Sequence, residues 1–249
     1  MPLEDWRDAD AMVVDDLYAQ ERRRWLDDLS WDTPAAWAIV EEGRARGTVP
    51  GWILRDSRGV VRGWAYYVLF DGELQIGGLT AKRAIDFREL VDGVLASPEA
   101  SLATTLSCFV YPAPGSLVSA LRRRRFAVRR SLYLARPLSA QDGAGPAPRA
   151  DLRVRAFRES DLLGAVRLLA AAYEGAPGAV SFAPHGRLDE WVRYVRQLMD
   201  THGCGRFLAD ASFAAEDPAT GRLVGLVLTT SLALETAHVA QVVVGPLSE

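Results

Sequence analysis

Glu235 and His238 stand at the start of an apolar strand expected over Thr236–Val244. A carboxylate or an imidazole there can take a proton from an attacking nucleophile, directly or through water. The plainer reading makes Glu235 a hairpin residue and His238 a surface strand residue. Further along, Gln241, Val242, Val243 and Val244 can offer main-chain groups to an extended ligand or pack as core. His202, Gly203 and Cys204 bring two metal-ligating types together, but a structural zinc needs four ligands and no second pair is near. Gly203 is therefore expected as a left-handed helix cap, and no metal is expected. Cys108 lies among Leu106, Phe109 and Val110, a small hydrophobe with no histidine partner in the sequence. Arg122–Arg125 is the only dense basic run. At a helix C-terminus four arginines complement the negative dipole end, and no aromatics interleave to stack bases.

These residues need elements to hold them, and composition says which kinds exist. Of 249 residues, 49% are hydrophobic and 24% charged, ordinary for a globular protein and unlike a disordered, collagen-like or coiled-coil chain. No apolar run approaches the roughly 18 residues of a spanning helix, so no membrane partner is expected. The acidic start, Met1 to Asp5, lacks the basic and apolar regions of a secretory signal. Two distant cysteines suggest no disulfide framework, and a cytoplasmic setting is expected. The net charge of -3 argues against a protein built to coat nucleic acid. Lys82 is the only lysine. Trp25, Trp31, Trp37 and Trp64 are expected in packed interiors.

Residues 139–150, rich in Gly, Pro and Ala, read as a linker between a first domain, 1–138, and a second, 151–249. The halves echo each other. Trp6-Arg7-Asp8-Ala9-Asp10 and Phe157-Arg158-Glu159-Ser160-Asp161 each open a helix. Asp56-Ser57-Arg58-Gly59, followed by Gly63, matches Asp217-Pro218-Ala219-Thr220-Gly221, followed by Gly225. Two echoes in the same order point to an internal duplication. Hydrophobic spacing predicts helices at 8–29, 34–46, 83–96 and 115–124 in the first half. Strands are predicted at 51–56, 60–69, 73–79, 102–111 and 128–136. The second half is predicted to hold strands at 152–156, 206–216, 222–233 and 236–244, with helices at 160–173 and 188–202.

This order, with Leu152 to Asp161, Arg222-Leu223-Val224-Gly225-Leu226 and the closing Val242-Val243-Val244-Gly245-Pro246, resembles the GNAT superfamily of CoA-dependent N-acetyltransferases, in tandem. Ala120 to Phe126 and Ser131 to Leu138 resemble the family's final helix and last strands. The resemblance implies an α+β fold: two acetyltransferase-like domains, each a mixed, mostly antiparallel twisted sheet flanked by helices. In the family a strand ending in Val-x-Pro bonds the pantetheine arm through its backbone, and a glycine-spaced turn at a helix N-terminus receives the pyrophosphate. In the first half that turn is Leu79 to Phe87, where Arg83, Ile85 and Phe87 stand in place of the glycines, so a degenerate scaffold is implied. The second half keeps Val244-Gly245-Pro246 and ends where the turn begins, so only the N-terminal part of a domain is expected there.

The resemblance implies acetyl-CoA as acyl donor and transfer of its acetyl group to an amine of a small molecule or peptide. Glu235 or His238 would be the base, with Gln241, Val242, Val243 and Val244 holding the pantetheine. A non-catalytic scaffold or ligand-binding protein is the alternative, and nucleic acid a distant third. The exposed edge of the last strand invites pairing with another copy, so a homo-oligomer is expected unless the edge is covered.

Overall fold

The computed structural model describes residues 3–139, 151–176, 178–200 and 204–245. The linker 139–150, apart from its first residue, the cap at Gly203 and the proline of the Val-x-Pro ending all lie outside the described residues. The chain folds as two compact units: Met1–Gln20 with Trp37–Tyr133, and Glu21–Ala36 with Leu134–Glu249. Each has one five-stranded sheet, and the class is α+β.

The first unit opens with β1 (Leu3–Asp5), followed by α1 (Ala11–Leu29), whose last turns belong to the second unit, and α2 (Pro34–Ala45). Then come β2 (Gly51–Arg55), β3 (Val61–Phe70), β4 (Glu73–Ala81), α3 (Ala84–Leu95), α4 (Pro98–Leu102), β5 (Thr105–Cys108) and α5 (Gly115–Arg123). The sheet order is β1-β2-β3-β4-β5, antiparallel except that β4 and β5 run parallel. Parallel pairing requires a crossover, which α3 and α4 supply. One face is covered by α3 and α5 through Leu90, Val91, Leu117 and Leu121; on the other, Trp6, Val14 and Tyr18 pack against Ile53 and Trp64.

The second unit continues with β6 (Arg153–Ala156), α6 (Leu162–Ala172), α7 (Leu188–Asp200), β7 (Arg206–Phe207), β8 (Phe213–Asp217), β9 (Arg222–Ala233) and β10 (Thr236–Val244). The sheet order is β10-β9-β8-β6, with β7 also on β9. Trp191, Val195 and Leu198 recur at i, i+4 and i+7, so α7 lays one apolar stripe on the sheet beside Ala165, Val166 and Leu169 of α6. The opposite sheet face carries Val154, Phe213, Val242 and Val244, all exposed.

Both sequence echoes have one physical cause each. Asp56 accepts hydrogen bonds from the amides of Arg58 and Val60 at 2.9 and 3.0 Å, and Asp217 accepts from Ala219 at 2.9 Å. Gly59 and Gly221 then take φ of 77° and 68°, conformations that a side chain disfavours. The later glycines permit close approach: a Cβ on Gly63 would lie 2.7 Å from the Thr80 carbonyl oxygen, and one on Gly225 3.1 Å from Ala215 Cβ. The other echo places a buried aromatic, Trp6 or Phe157, directly after the first strand of each unit.

Four expectations are corrected. The first helix begins at Ala11, because residues 3–5 pair with β2 and residues 6–8 form a 3-10 turn. The stretch 102–111 holds only the short β5, since Ser97 caps α4 by accepting from the Ala100 amide. The stretch 206–216 is split by a 3-10 turn at Ala209–Ala211, fixed by buried Ser212, which donates to the Leu208 carbonyl and accepts from the Thr229 amide. The stretch 128–136 forms no strand, and Leu132 and Leu134 stand 88% and 92% exposed.

Candidate functional site

The site is built on β10. Its neighbour β9 runs antiparallel, with Gln241 opposite Leu228, Val242 opposite Val227 and Val244 opposite Gly225. The Gly245 amide donates to the Val224 carbonyl at 2.8 Å. Antiparallel pairs alternate between bonded and non-bonded, so Val243 and Gln241 bond β9, whereas the main-chain groups of Val242 and Val244 aim away from it. Among the described residues no strand pairs with β10 on that side. Ala240 is an extra residue in the ladder, a bulge between Val239 and Gln241.

Leu228 and Thr230 share a face of β9, so their partners Gln241 and His238 share the helix-covered face of β10. Gln241 is buried and bonded at both ends of its amide: its Oε1 accepts from the Tyr173 hydroxyl at 3.0 Å, and its Nε2 donates to the Tyr194 hydroxyl at 2.7 Å. Burial pushes the Tyr194 phenol up to about 12, against which the Gln241 bond works. His238 is half-buried, with Trp31 6.0 Å from its ring centre, and burial pushes its pKa below the ordinary 6.5. The strap bearing Trp31 is tied down where the Asp32 amide donates to the Leu232 carbonyl at 2.9 Å. A groove beside it is lined by Asp32, Pro34, Gly205, Arg206, Ser231 and Ala233.

Glu235 sits apart. It lies in the β9–β10 turn, exposed, six residues before Gln241, which in extended chain is about 20 Å. His238 is three residues from Gln241, or about 10 Å. The strand thus gathers His238, Gln241, Val242, Val243 and Val244 and leaves Glu235 at the far end.

Tyr173 and Tyr194 escaped the sequence reading. The available signal was the aromatic spacing of Trp191 and Tyr194 on α7, on the stripe that faces the sheet. Phe182 completes the cluster, its ring centre 4.9 Å from Tyr194. Beside it Glu190 is buried, accepting from the amides of His185 and Arg187 at 3.0 and 3.1 Å, with His185 Nδ1 2.6 Å away. Burial alone would raise the Glu190 carboxyl; the imidazole and the two amides outweigh it and hold it below 4.5.

The other candidates are quieter. Burial raises the Cys108 thiol, so it stays protonated. In the Arg122–Arg125 run, α5 ends at Arg123, Arg125 turns into the left-handed region with φ 66°, and Arg124 pairs with Asp92. Among the described residues no three of His, Cys, Asp and Glu gather to hold a metal ion, and no helix is long and apolar enough to cross a membrane.

No family model and no curated protein matches this chain. Several solved structures are similar in fold. A tandem GNAT protein from the clavulanic acid biosynthesis pathway is 18% identical with a TM-score of 0.49, over 79% of this chain and 63% of that one. A GCN5-related N-acetyltransferase from Sphaerobacter thermophilus is 13% identical with a TM-score of 0.47, over 78% of this chain and 61% of that one. A probable acetyltransferase is 11% identical with a TM-score of 0.40, over 56% of this chain and 99% of its own. This chain therefore spans under two thirds of the two longer neighbours.

Whether acetyl-CoA fits differs between the units. In the second, the outward main-chain groups of Val242 and Val244 suit an amide-bearing arm laid along the edge as a strand would be. In the first, β5 pairs with β4 only over Glu73–Ile76, but the first turn of α3 carries the buried Asp86 carboxylate, which holds the Arg83 guanidinium. That unit does not fit the cofactor.

Proposed function

We propose that this chain is an N-acetyltransferase that carries an acetyl group from acetyl-CoA to an amine of a small molecule or peptide, with its chemistry in the second unit. The observation that carries this reading is the edge of β10, unpaired among the described residues, with outward main-chain groups at Val242 and Val244 and a half-buried histidine on the same strand. Acetyl-CoA, when bound, supplies an acetyl thioester. Val242 and Val244 would hold its amide-bearing arm through backbone, while Gln241 and Val243 keep the strand in register from the covered face. His238, neutral at physiological pH because burial lowers its pKa, would accept the proton of the attacking amine. Glu235 is the second candidate base and would reach the acceptor only through water from the hairpin. The acceptor would enter by the groove of Asp32, Arg206 and Ser231.

A non-catalytic reading fits the first unit, on the strength of Asp86. The test is acetyl-CoA-dependent release of free thiol with a panel of primary amines, alongside calorimetric titration of acetyl-CoA. Saturable binding with amine-dependent thiol release supports the enzyme. Absence of both would sink it and leave a scaffold that keeps the fold.

A further inference from the structure

One buried charge in the first unit plays no part in the site on β10. Asp86 is the third residue of α3 and is 0% exposed. A carboxylate is costly to bury without partners, and two arginines supply them. Arg83 donates to Oδ1 at 2.7 Å and to Oδ2 at 3.0 Å, and Arg62 Nε lies 3.7 Å from Oδ2. Arg62 is held through its backbone. The Lys82 amide donates to the Arg62 carbonyl at 3.1 Å, tying the end of β4 to β3. Gly63 lets β3 come close to α3, since a Cβ there would lie 3.0 Å from Leu90 Cδ1. One turn further along α3, Glu89 adds a second carboxylate whose Oε2 is buried with no hydrogen-bond partner.

The first turn of a helix offers its amides and the positive end of its dipole to an anion. Here that turn carries a carboxylate of the chain itself, Asp86, whose bonds go to the Arg83 guanidinium rather than to the helix amides. A phosphate brought to the same turn would meet two carboxylates at short range and find the Arg83 guanidinium already engaged on both Asp86 oxygens.

We infer that Asp86 is a resident anion that closes the mouth of α3 to phosphate groups, so the first unit binds no phosphate-bearing cofactor. The closure stands on the first unit alone. Its consequence, that any acetyl-CoA is held by the second unit, rests on the function proposed above.

The experiment titrates inorganic pyrophosphate into the full chain at constant ionic strength, by calorimetry and thermal shift. The wild type is expected to show no saturable response. Asp86→Asn keeps the shape, removes the charge and leaves the two arginines uncompensated; it should bind pyrophosphate at least about tenfold more tightly than the wild type, equivalent to about 1.4 kcal/mol. Adding Arg83→Ala should remove that gain. Asp86→Ala is the companion variant, and Asp86→Asn decides if the alanine fails to fold. The inference is overturned if folded Asp86→Asn gains no pyrophosphate binding, or if the wild type binds it and Arg83→Ala weakens that binding. A parallel titration with CoA separates the two readings. CoA binding that survives Asp86→Asn and Arg83→Ala but is lost in Val242→Pro supports both. CoA binding lost in Arg83→Ala overturns the closure. Absence of CoA binding removes the proposed function and leaves the closure to the pyrophosphate result.

Discussion

His238 and Glu190 show how burial sets what a single side chain can do. His238 is charged at a cost, so its imidazole stays neutral to a lower pH than an exposed histidine. If it is the base, kcat/KM for amine transfer should fall as pH drops through a value below 6.5. His238→Ala should lose about 100-fold or more in kcat/KM together with that acidic limb. A variant that keeps both the rate and the limb would shift the role to Glu235. Glu190 works in the opposite sense. Its carboxyl is held below 4.5 in the folded chain, so it contributes stability that is present above that value and lost as pH falls through the folded pKa. Glu190→Gln should therefore destabilise the protein by about 1–3 kcal/mol at pH 7, where buried amides lose a charged acceptor. The deficit should shrink in urea titrations at a pH below the folded value. An equal deficit at both pH values would mean that shape rather than charge matters there.

At the scale of elements, β10 makes a sharper claim because its two sides differ. Proline at an outward-facing amide removes no ladder bond, whereas at an inward-facing amide it does. Val242→Pro should change stability by no more than about 0.5 kcal/mol while abolishing acetyl-CoA binding. Val243→Pro should cost at least about 3 kcal/mol, from a broken bond and a disturbed buried side chain. Equal losses in urea midpoints would mean that the alternation is misassigned. The long elements were legible in sequence from their own residues: β9 and β10 are long apolar runs bounded by turns, α7 repeats at helical spacing, and the Asp–Gly turns sit where φ must be positive. What stayed hidden depends on partners remote in sequence. The three residues of β1 carry no pattern of their own and are strand only because β2 lies beside them. Residues 128–136 hold the apolar run Leu132 to Ala135 yet, among the described residues, meet no neighbouring strand. The interruption before β8 exists because one buried hydroxyl, Ser212, donates to the Leu208 carbonyl before it and accepts from the Thr229 amide of β9. The same holds for the candidate site: the strand positions of His238 and of Gln241 to Val244 could be read, while the tyrosines that clasp Gln241 come from α7 and the cap of α6 and needed the fold.

For the whole molecule, the edge of β10 that is unpaired among the described residues can serve one occupant at a time. An amide-bearing arm and the β10 strand of another copy would compete for the outward groups of Val242 and Val244. The strand carries no lysine, acid or proline to discourage pairing, and Val239, Val242 and Val244 are all more than half exposed on the face beside it. Association is therefore expected to depend on ligand. Light scattering should show the mass rising with protein concentration and returning to that of a single chain at saturating acetyl-CoA. At about a hundred times its Kd the ligand also adds about 2.7 kcal/mol of stability, for a chain of this size a melting shift of roughly 5–10 °C. A charge placed on the exposed face, Val244→Lys, should suppress association and leave the ligand-induced shift in place, because the backbone groups remain. Association that persists at saturating acetyl-CoA would locate the contact elsewhere and free β10 for the cofactor alone.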